Sequence, residues 1–242
     1  MAAIRTVGLS KRYKDVLAVD GLDLEVKEGE LFALLGVNGA GKTTAIRMLS
    51  CLTRPSGGEA FVGGHSVLDE AVEVKRIIAT SPQETAVAPG LSVRENLELI
   101  AGLYGIGKDR RQALLAELTE KLGLSTVLER RAGKLSGGWQ RRLSIAMALI
   151  SEPSVLFLDE PTLGLDVIAR SELWDIIRAL RGRVTILMTT HYMEEAEALS
   201  DRIGIMKDGR LLAVGTAAEL MERTSSDKFE SAFISIVREE RV

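Results

Sequence analysis

The chain has 242 residues, enough to bury a substantial core as one domain or as a core with a smaller subdomain. It is 46% apolar but only 4% aromatic, with a formal charge of −3. Arginine pairs such as Arg110-Arg111, Arg130-Arg131 and Arg141-Arg142 are scattered and offset by acids, so no basic tract or stacking platform predicts binding to DNA or RNA.

Residues 4–35 carry alternating apolar positions (Val16, Ala18 and Val19, then Leu22, Leu24 and Val26) and close on the apolar run Leu31–Leu35, a pattern of strands. A glycine-rich turn follows, then a predicted helix from Thr44 to Leu52. Between about 88 and 152 the pattern becomes helical. Ser92 and Glu95 form a capping-box pair before a helix through Leu97, Ile100 and Tyr104. Leu114, Leu118 and Leu122 recur every four residues, and a third helix is predicted to begin at Ser136 and run to Ile150. Two further apolar runs, 155–158 and 184–188, each lead into polar residues and then a helix. Such short runs suit buried parallel strands of a doubly wound α/β sheet, whose ligands sit at the strands' carboxyl ends. Ile203 to Val214, centred on Asp208-Gly209, reads as a hairpin. The last twenty residues can form a helix with Phe229, Phe233 and Val237 on one side.

No apolar run reaches the ~18 residues that cross a bilayer. The N-terminal MAAIRTVGLSKRYKD has no apolar signal-peptide core. The single Cys51 lies in an apolar stretch and is expected to be a buried, reduced thiol of a cytosolic protein.

The chemistry concentrates in a few short segments. Gly36-x4-Gly41-Lys42-Thr43 lies between a predicted strand and a predicted helix, the context that makes a phosphate-binding loop credible. Gly36, Gly39 and Gly41 let backbone N–H groups turn inward around phosphate oxygens, with Asn38, Ala40 and Thr44 completing the loop. The helix start adds partial positive charge, Lys42 spans the outer phosphates, and the Thr43 hydroxyl reaches Mg²⁺. Asp159 and Glu160 close an apolar strand, where adjacent carboxylates are costly without cationic partners. Ser136-Gly137-Gly138 before a helix makes a second anion site from a hydroxyl and bare N–H groups.

The phosphate loop together with LSGGWQ at 135–140 and LFLDEP at 156–161 resembles the ATP-binding cassette family, the ATPase subunits that drive membrane transporters. The matching motifs run from Tyr13 to His191, nearly the whole chain. The resemblance implies a P-loop NTPase (RecA-like) core at about 1–87 and 153–221, with an antiparallel β subdomain. It further implies a helical subdomain inserted at about 88–152 and a helical tail at about 222–242.

By the same resemblance, Asp159 and Gln83 join Thr43 around Mg²⁺, and Glu160 positions and polarises the attacking water. An ordinary glutamate has a pKa near ~4.3, so orienting the water and accepting its proton late describes Glu160 better than strong general base. His191, after Thr189-Thr190, matches the switch histidine at the γ-phosphate, and Gln83 matches the Q-loop glutamine. Ser136, Gly137 and Gly138 match the signature that contacts ATP held by a second subunit, and Asp166 matches the D-loop aspartate at the dimer interface. That loop begins Leu163-Gly164, where many relatives carry a serine. Tyr13 matches an aromatic stacked on adenine, the alternative being a partly buried strand tyrosine. Trp139 falls where the family varies, and His65 reads as a surface residue in a glycine-rich turn.

The tail and the 82–105 segment look like the drug-exporter branch, whose cassettes pair with a separately encoded membrane permease; a helix that simply covers the core is the plainer reading of the tail. The leading expectation is therefore an ATPase that forms a homodimer on ATP binding and is peripheral on the cytoplasmic face of a membrane through its permease. A soluble cassette ATPase of the Fe–S-assembly type is the alternative. A non-hydrolysing regulator is disfavoured, because every hydrolytic position is filled.

Overall fold

A computed structural model describes residues 2–239. The chain opens with two long antiparallel strands, β1 (Ala2–Tyr13) and β2 (Val16–Lys27), then the wholly buried β3 (Leu31–Leu35) and helix α1 (Lys42–Leu49). There follow β4 (Gly57–Val62), β5 (His65–Ser66), α2 (Ala71–Ile77) and β6 (Ile78–Ser81). Three helices, α3 (Val93–Leu103), α4 (Lys108–Lys121) and α5 (Gly137–Leu149), occupy the predicted helical stretch. The second half alternates β7 (Val155–Asp159), α6 (Val167–Leu180), β8 (Thr185–Thr190) and α7 (Met193–Leu199). It closes with the hairpin β9 (Arg202–Lys207) and β10 (Arg210–Gly215), then α8 (Ala217–Arg223) and α9 (Phe229–Glu239). Residues 240–242 of the predicted tail lie outside the described residues.

The strands make two sheets. One is antiparallel with order β2-β1-β4-β5; the other has order β10-β9-β3-β8-β7-β6 and is parallel apart from the edge strand β10. Side chains of a strand alternate between faces, and here that alternation divides the core in two. Leu31, Ala33 and Leu35 of β3 join Leu156, Leu158, Ile186 and Met188 on the face covered by the later helices. Phe32 and Leu34 join Phe157 and Leu187 on the other face, against α1 and the antiparallel sheet. The central strands β3, β7 and β8 are therefore buried at every position, as a sheet covered on both faces requires.

Two readings from sequence are corrected. The helix after the phosphate loop runs from Lys42 to Leu49 rather than from Thr44 to Leu52, because Cys51 takes a left-handed conformation (φ 56°) that no helix continues. Cys51 is half-buried rather than buried; partial burial raises its thiol pKa. His65 is half-buried in β5 and faces Glu70 Oε1 at 3.1 Å. The Asp208-Gly209 turn has φ of 47° and 83°, the pair of positive values a two-residue hairpin turn needs.

The capping box is formed in full. Glu95 N donates to Ser92 Oγ and Ser92 N to Glu95 Oε2. One turn on, the fully buried Asn96 accepts from Ala88 N (2.8 Å) and donates to the carbonyls of Ala88 and Ser92. It thereby fixes the loop entering the helical segment. Asn96→Ala leaves Ala88 N without that acceptor, and a loss of about 2 kcal/mol is expected. The shift should appear in the urea midpoint together with faster amide exchange at Ala88; unchanged exchange there would contradict this role.

Candidate functional site

Strand β3 delivers the chain to Gly36 at the carboxyl edge of the parallel sheet, where Gly36 N donates to Thr190 O. A Cβ on Gly36 would lie 2.3 Å from Met206 O, so only glycine fits. Gly41 has φ of 98°, and its Cβ would lie 2.4 Å from Ala18 O. These close approaches press the loop against neighbouring backbone, and the hairpin turn adds a bond from Gly209 N to Ala40 O. Helix α1 begins directly after Gly41 with no side-chain cap and no acid in its first turn, which leaves its N–H groups for a ligand.

Lys42 is the loop's buried cation, 4% exposed. Its Nζ donates to Gly36 O (2.7 Å) and Val37 O (3.1 Å) and lies 3.6 Å from Glu160 Oε1. Burial lowers its pKa, and the charges of Glu160 and Asp159 act the other way.

The two acids at the end of β7 are held differently. Asp159 Oδ1 accepts from Thr43 Oγ1 at 3.0 Å and from Thr189 Oγ1 at 2.5 Å. Glu160 has φ of 46°, a strained value for a residue with a side chain. That turn points its carboxylate between Lys42 and His191, whose Nδ1 lies 3.1 Å from Oε2. The strain is supported by Glu160 N, which donates to both the carbonyl and the hydroxyl of Thr189.

A cleft of about 460 Å³ gathers Asn38, Gly39, Ala40, Gly41, Lys42, Thr43, Thr44, Gln83, Glu160 and His191, together with Ala18 and Leu163. It combines a helix start, a buried ammonium and the Glu160 carboxylate, with Asp159 behind Thr43, which suits a polyphosphate bound with a cation. Tyr13 stands outside this lining at the end of β1, exposed, with Lys11 Nζ 4.9 Å from its ring centre. The signature residues do not line the cleft either. Ser136 is the exposed N-cap of α5 and makes no side-chain cap bond. Asp166 caps α6, accepting from Ile168 N and Ala169 N at 3.0 and 2.9 Å. The chain thus brings one group of expected residues together and leaves a second group on its surface.

Thr189 and Arg141 were not singled out from sequence. A threonine in an apolar run reads as a strand former, and Arg141 reads as one of a solvated pair. In the fold Arg141 is buried and donates to Pro82 O (2.6 Å) and Gln83 O (2.5 Å). Burial lowers its pKa, which Asp159 and Glu195 oppose.

Comparison with known proteins places the chain in a family. The family described as "ABC transporter" matches residues 19–163. The chain is 46% identical over 229 residues to the daunorubicin resistance ATP-binding protein DrrA3 of Streptomyces coeruleorubidus, covering 94% of this chain and 72% of that protein. It is 44% identical over 216 residues to the Nod factor export ATP-binding protein I of Burkholderia thailandensis, covering 88% and 71%. Among solved structures it is similar to the dimeric post-hydrolysis state of the ATP-binding cassette MJ0796 bound to ADP and Pi. That match has a TM-score of 0.79 and 26% identity, over 88% of this chain and 98% of the other.

Thr189→Val keeps the shape of β8 but removes the hydroxyl shared by Asp159 and Glu160 N. A stability loss of about 2 kcal/mol is expected, the worth of a hydrogen bond to a charged group. A urea midpoint equal to that of the unaltered protein would show that Thr189 does not hold the acids.

Proposed function

The chain belongs to the ABC transporter family as one of its ATP-binding, ATP-hydrolysing subunits, and we propose that it powers an exporter of drugs, antibiotics or similar hydrophobic compounds. The relatives named for daunorubicin resistance and for Nod factor export support the exporter branch over the Fe–S-assembly alternative. One observation carries the mechanism: the hydrolytic residues converge in the cleft, while Ser136, Gly137, Gly138 and Asp166 stand outside it with the Ser136 hydroxyl uncommitted. The site is half-built within one chain. A second copy placed head to tail would bring its signature onto the γ-phosphate, and the dimeric relative supports such a pairing.

In this reading ATP brings Lys42 a second anion. The triphosphate replaces Glu160 as the nearest counter-charge of the ammonium, and the Glu160 carboxylate turns to the attacking water. His191, already 3.1 Å from Glu160, orients that carboxylate and meets the γ-phosphate. Tyr13 stacks on adenine, with the phosphates between Asn38 and Thr44.

The family's Mg²⁺ fits the residues present. Thr43 and Asp159 offer hard oxygens 3.0 Å apart, and Gln83 lines the same cleft. Among the described residues no group of three His, Cys, Asp or Glu could hold a metal without help, which suits an ion shared with the nucleotide's phosphates. When bound, the ion neutralises charge on the β- and γ-phosphates. Thr43, Asp159 and Gln83 are the residues that would hold it.

We assign the body at about 1–87 and 153–221 to nucleotide binding and the insertion at about 88–152 to coupling. Among the described residues no helix is long and apolar enough to cross a membrane. We assign the membrane path to a separate permease, with this chain peripheral on its cytoplasmic face, as the export relatives named as ATP-binding proteins support. Leu99, Leu103 and Tyr104 expose apolar surface on α3 and its C-cap, beside the loop that Asn96 ties down, and this is the face we assign to the permease.

The test is Glu160→Gln, which keeps size and hydrogen bonding but removes the charge that takes the water's proton. Turnover should fall about 10²-fold or more, while ATP binding survives. With Mg-ATP the variant should elute as a dimer where the unaltered protein elutes mainly as a monomer. Wild-type turnover, or no dimer with ATP, would overturn this reading.

A further inference from the structure

Arg141 is an unusual residue to bury. The residue is 4% exposed, and its guanidinium binds backbone rather than a carboxylate in direct contact. Asp159 and Glu195 face its charge only at longer range. A buried arginine is costly unless its donors are matched. Here two of them meet the carbonyls of consecutive residues, Pro82 and Gln83.

That pairing has a geometric meaning. Along a regular strand successive carbonyls point to opposite sides. Strand β6 ends at Ser81, and the next two carbonyls both turn toward α5. The guanidinium fork is therefore what gathers the backbone as it leaves the sheet. Fixing the peptide groups on either side of Gln83 Cα fixes the direction in which the Gln83 side chain leaves, and that side chain lines the nucleotide cleft.

The grip extends one turn further along the same helix. Ser144 Oγ lies 2.9 Å from Ser81 Oγ, and both residues are buried. Residues three apart on a helix share a face, so Arg141 and Ser144 together clamp the end of β6. The N-cap of this helix is Ser136. Arg141 follows it by five positions, roughly 8 Å along a rigid axis at 1.5 Å per residue.

We propose that Arg141 is a positioning residue that sets Gln83 and joins it, through the first turns of α5, to the signature residues Ser136–Gly138. The inference rests on the reading that the signature meets ATP held by a second copy. Contact at the signature then displaces α5, and α5 carries the Gln83 peptide with it. One chain's view of its own nucleotide is thereby linked to the nucleotide it touches on its partner. Arg141 itself touches neither.

The experiment is a mutant cycle in ATP turnover, with kcat and KM separated. Ser136→Ala, Gln83→Ala and the double variant are made in the unaltered chain and again with Arg141→Met. With Arg141 present, the two losses should depart from simple multiplication by about 5-fold or more, the size of coupling seen between groups in one network. With Met at 141 they should multiply within about 2-fold. Arg141→Met alone should lower kcat about 10-fold with KM nearly constant, because the phosphate loop is intact. Arg141→Lys, which can still reach one carbonyl, should recover part of kcat and of the coupling. A role confined to stability would lower the melting temperature and leave the coupling in place, which would overturn the proposal. Coupling absent even with Arg141 intact would also overturn it. If Arg141→Met fails to fold, the cycle is read with Lys at 141, where undiminished coupling counts against the proposal. Failure of the underlying reading looks different: Ser136→Ala alone would leave turnover unchanged.

Discussion

The site depends on one electrostatic constraint, a lysine ammonium held almost out of water. Lys42 has two loop carbonyls and a carboxylate 3.6 Å away in place of a hydration shell. Burial alone favours its neutral form, and the acids at the end of β7 oppose that. The fold must therefore bring β7 and the phosphate loop together. It does so by pairing β3 and β7 with the same central strand, β8. That strand also supplies the Thr189 hydroxyl, which holds Asp159 and bonds the strained Glu160 peptide. A polyphosphate entering the cleft meets charge already arranged to receive it, so little reorganisation is left for the moment of reaction.

The two-sided core serves the same end. Because β3 sends alternate side chains to opposite faces, α1 can rest on one face while the later helices rest on the other. The phosphate loop is anchored from the first side by Ala18 and the β9–β10 turn. The acids, His191 and the Gln83 loop reach it from strand ends of the same sheet. Ligand sites at the carboxyl ends of parallel strands follow from this layout.

Much of this was legible in the sequence where the chemistry demands a particular residue. Gly36 and Gly41 are needed because neighbouring backbone leaves no room for a Cβ, so the loop announces itself. The Ser92 and Glu95 box and the Asp208-Gly209 turn are local, and both formed as read. What escaped notice depends on tertiary contacts. Cys51 ends α1 through a backbone conformation that composition does not encode. Thr189 looks like any β-branched strand residue until β7 lies beside it. Arg141 and Arg142 look alike, yet one is buried and reaches the Gln83 loop, and the other pairs with Glu172 on α6. The signature was found by resemblance; spacing alone could not have told that Ser136 would stand apart from the cleft.

That separation is the centre of the account, because on it rests the proposal that the active unit is two chains rather than one. The direct measurement is ATP turnover in a mixture of Lys42→Ala and Ser136→Arg subunits, each inactive by itself. If the signature of one chain completes the phosphate loop of another, mixing forms one intact composite site per heterodimer, and turnover reappears with a dependence on the ratio of the two. If every site is complete within its own chain, the mixture stays as inactive as its components, and the two-chain account fails.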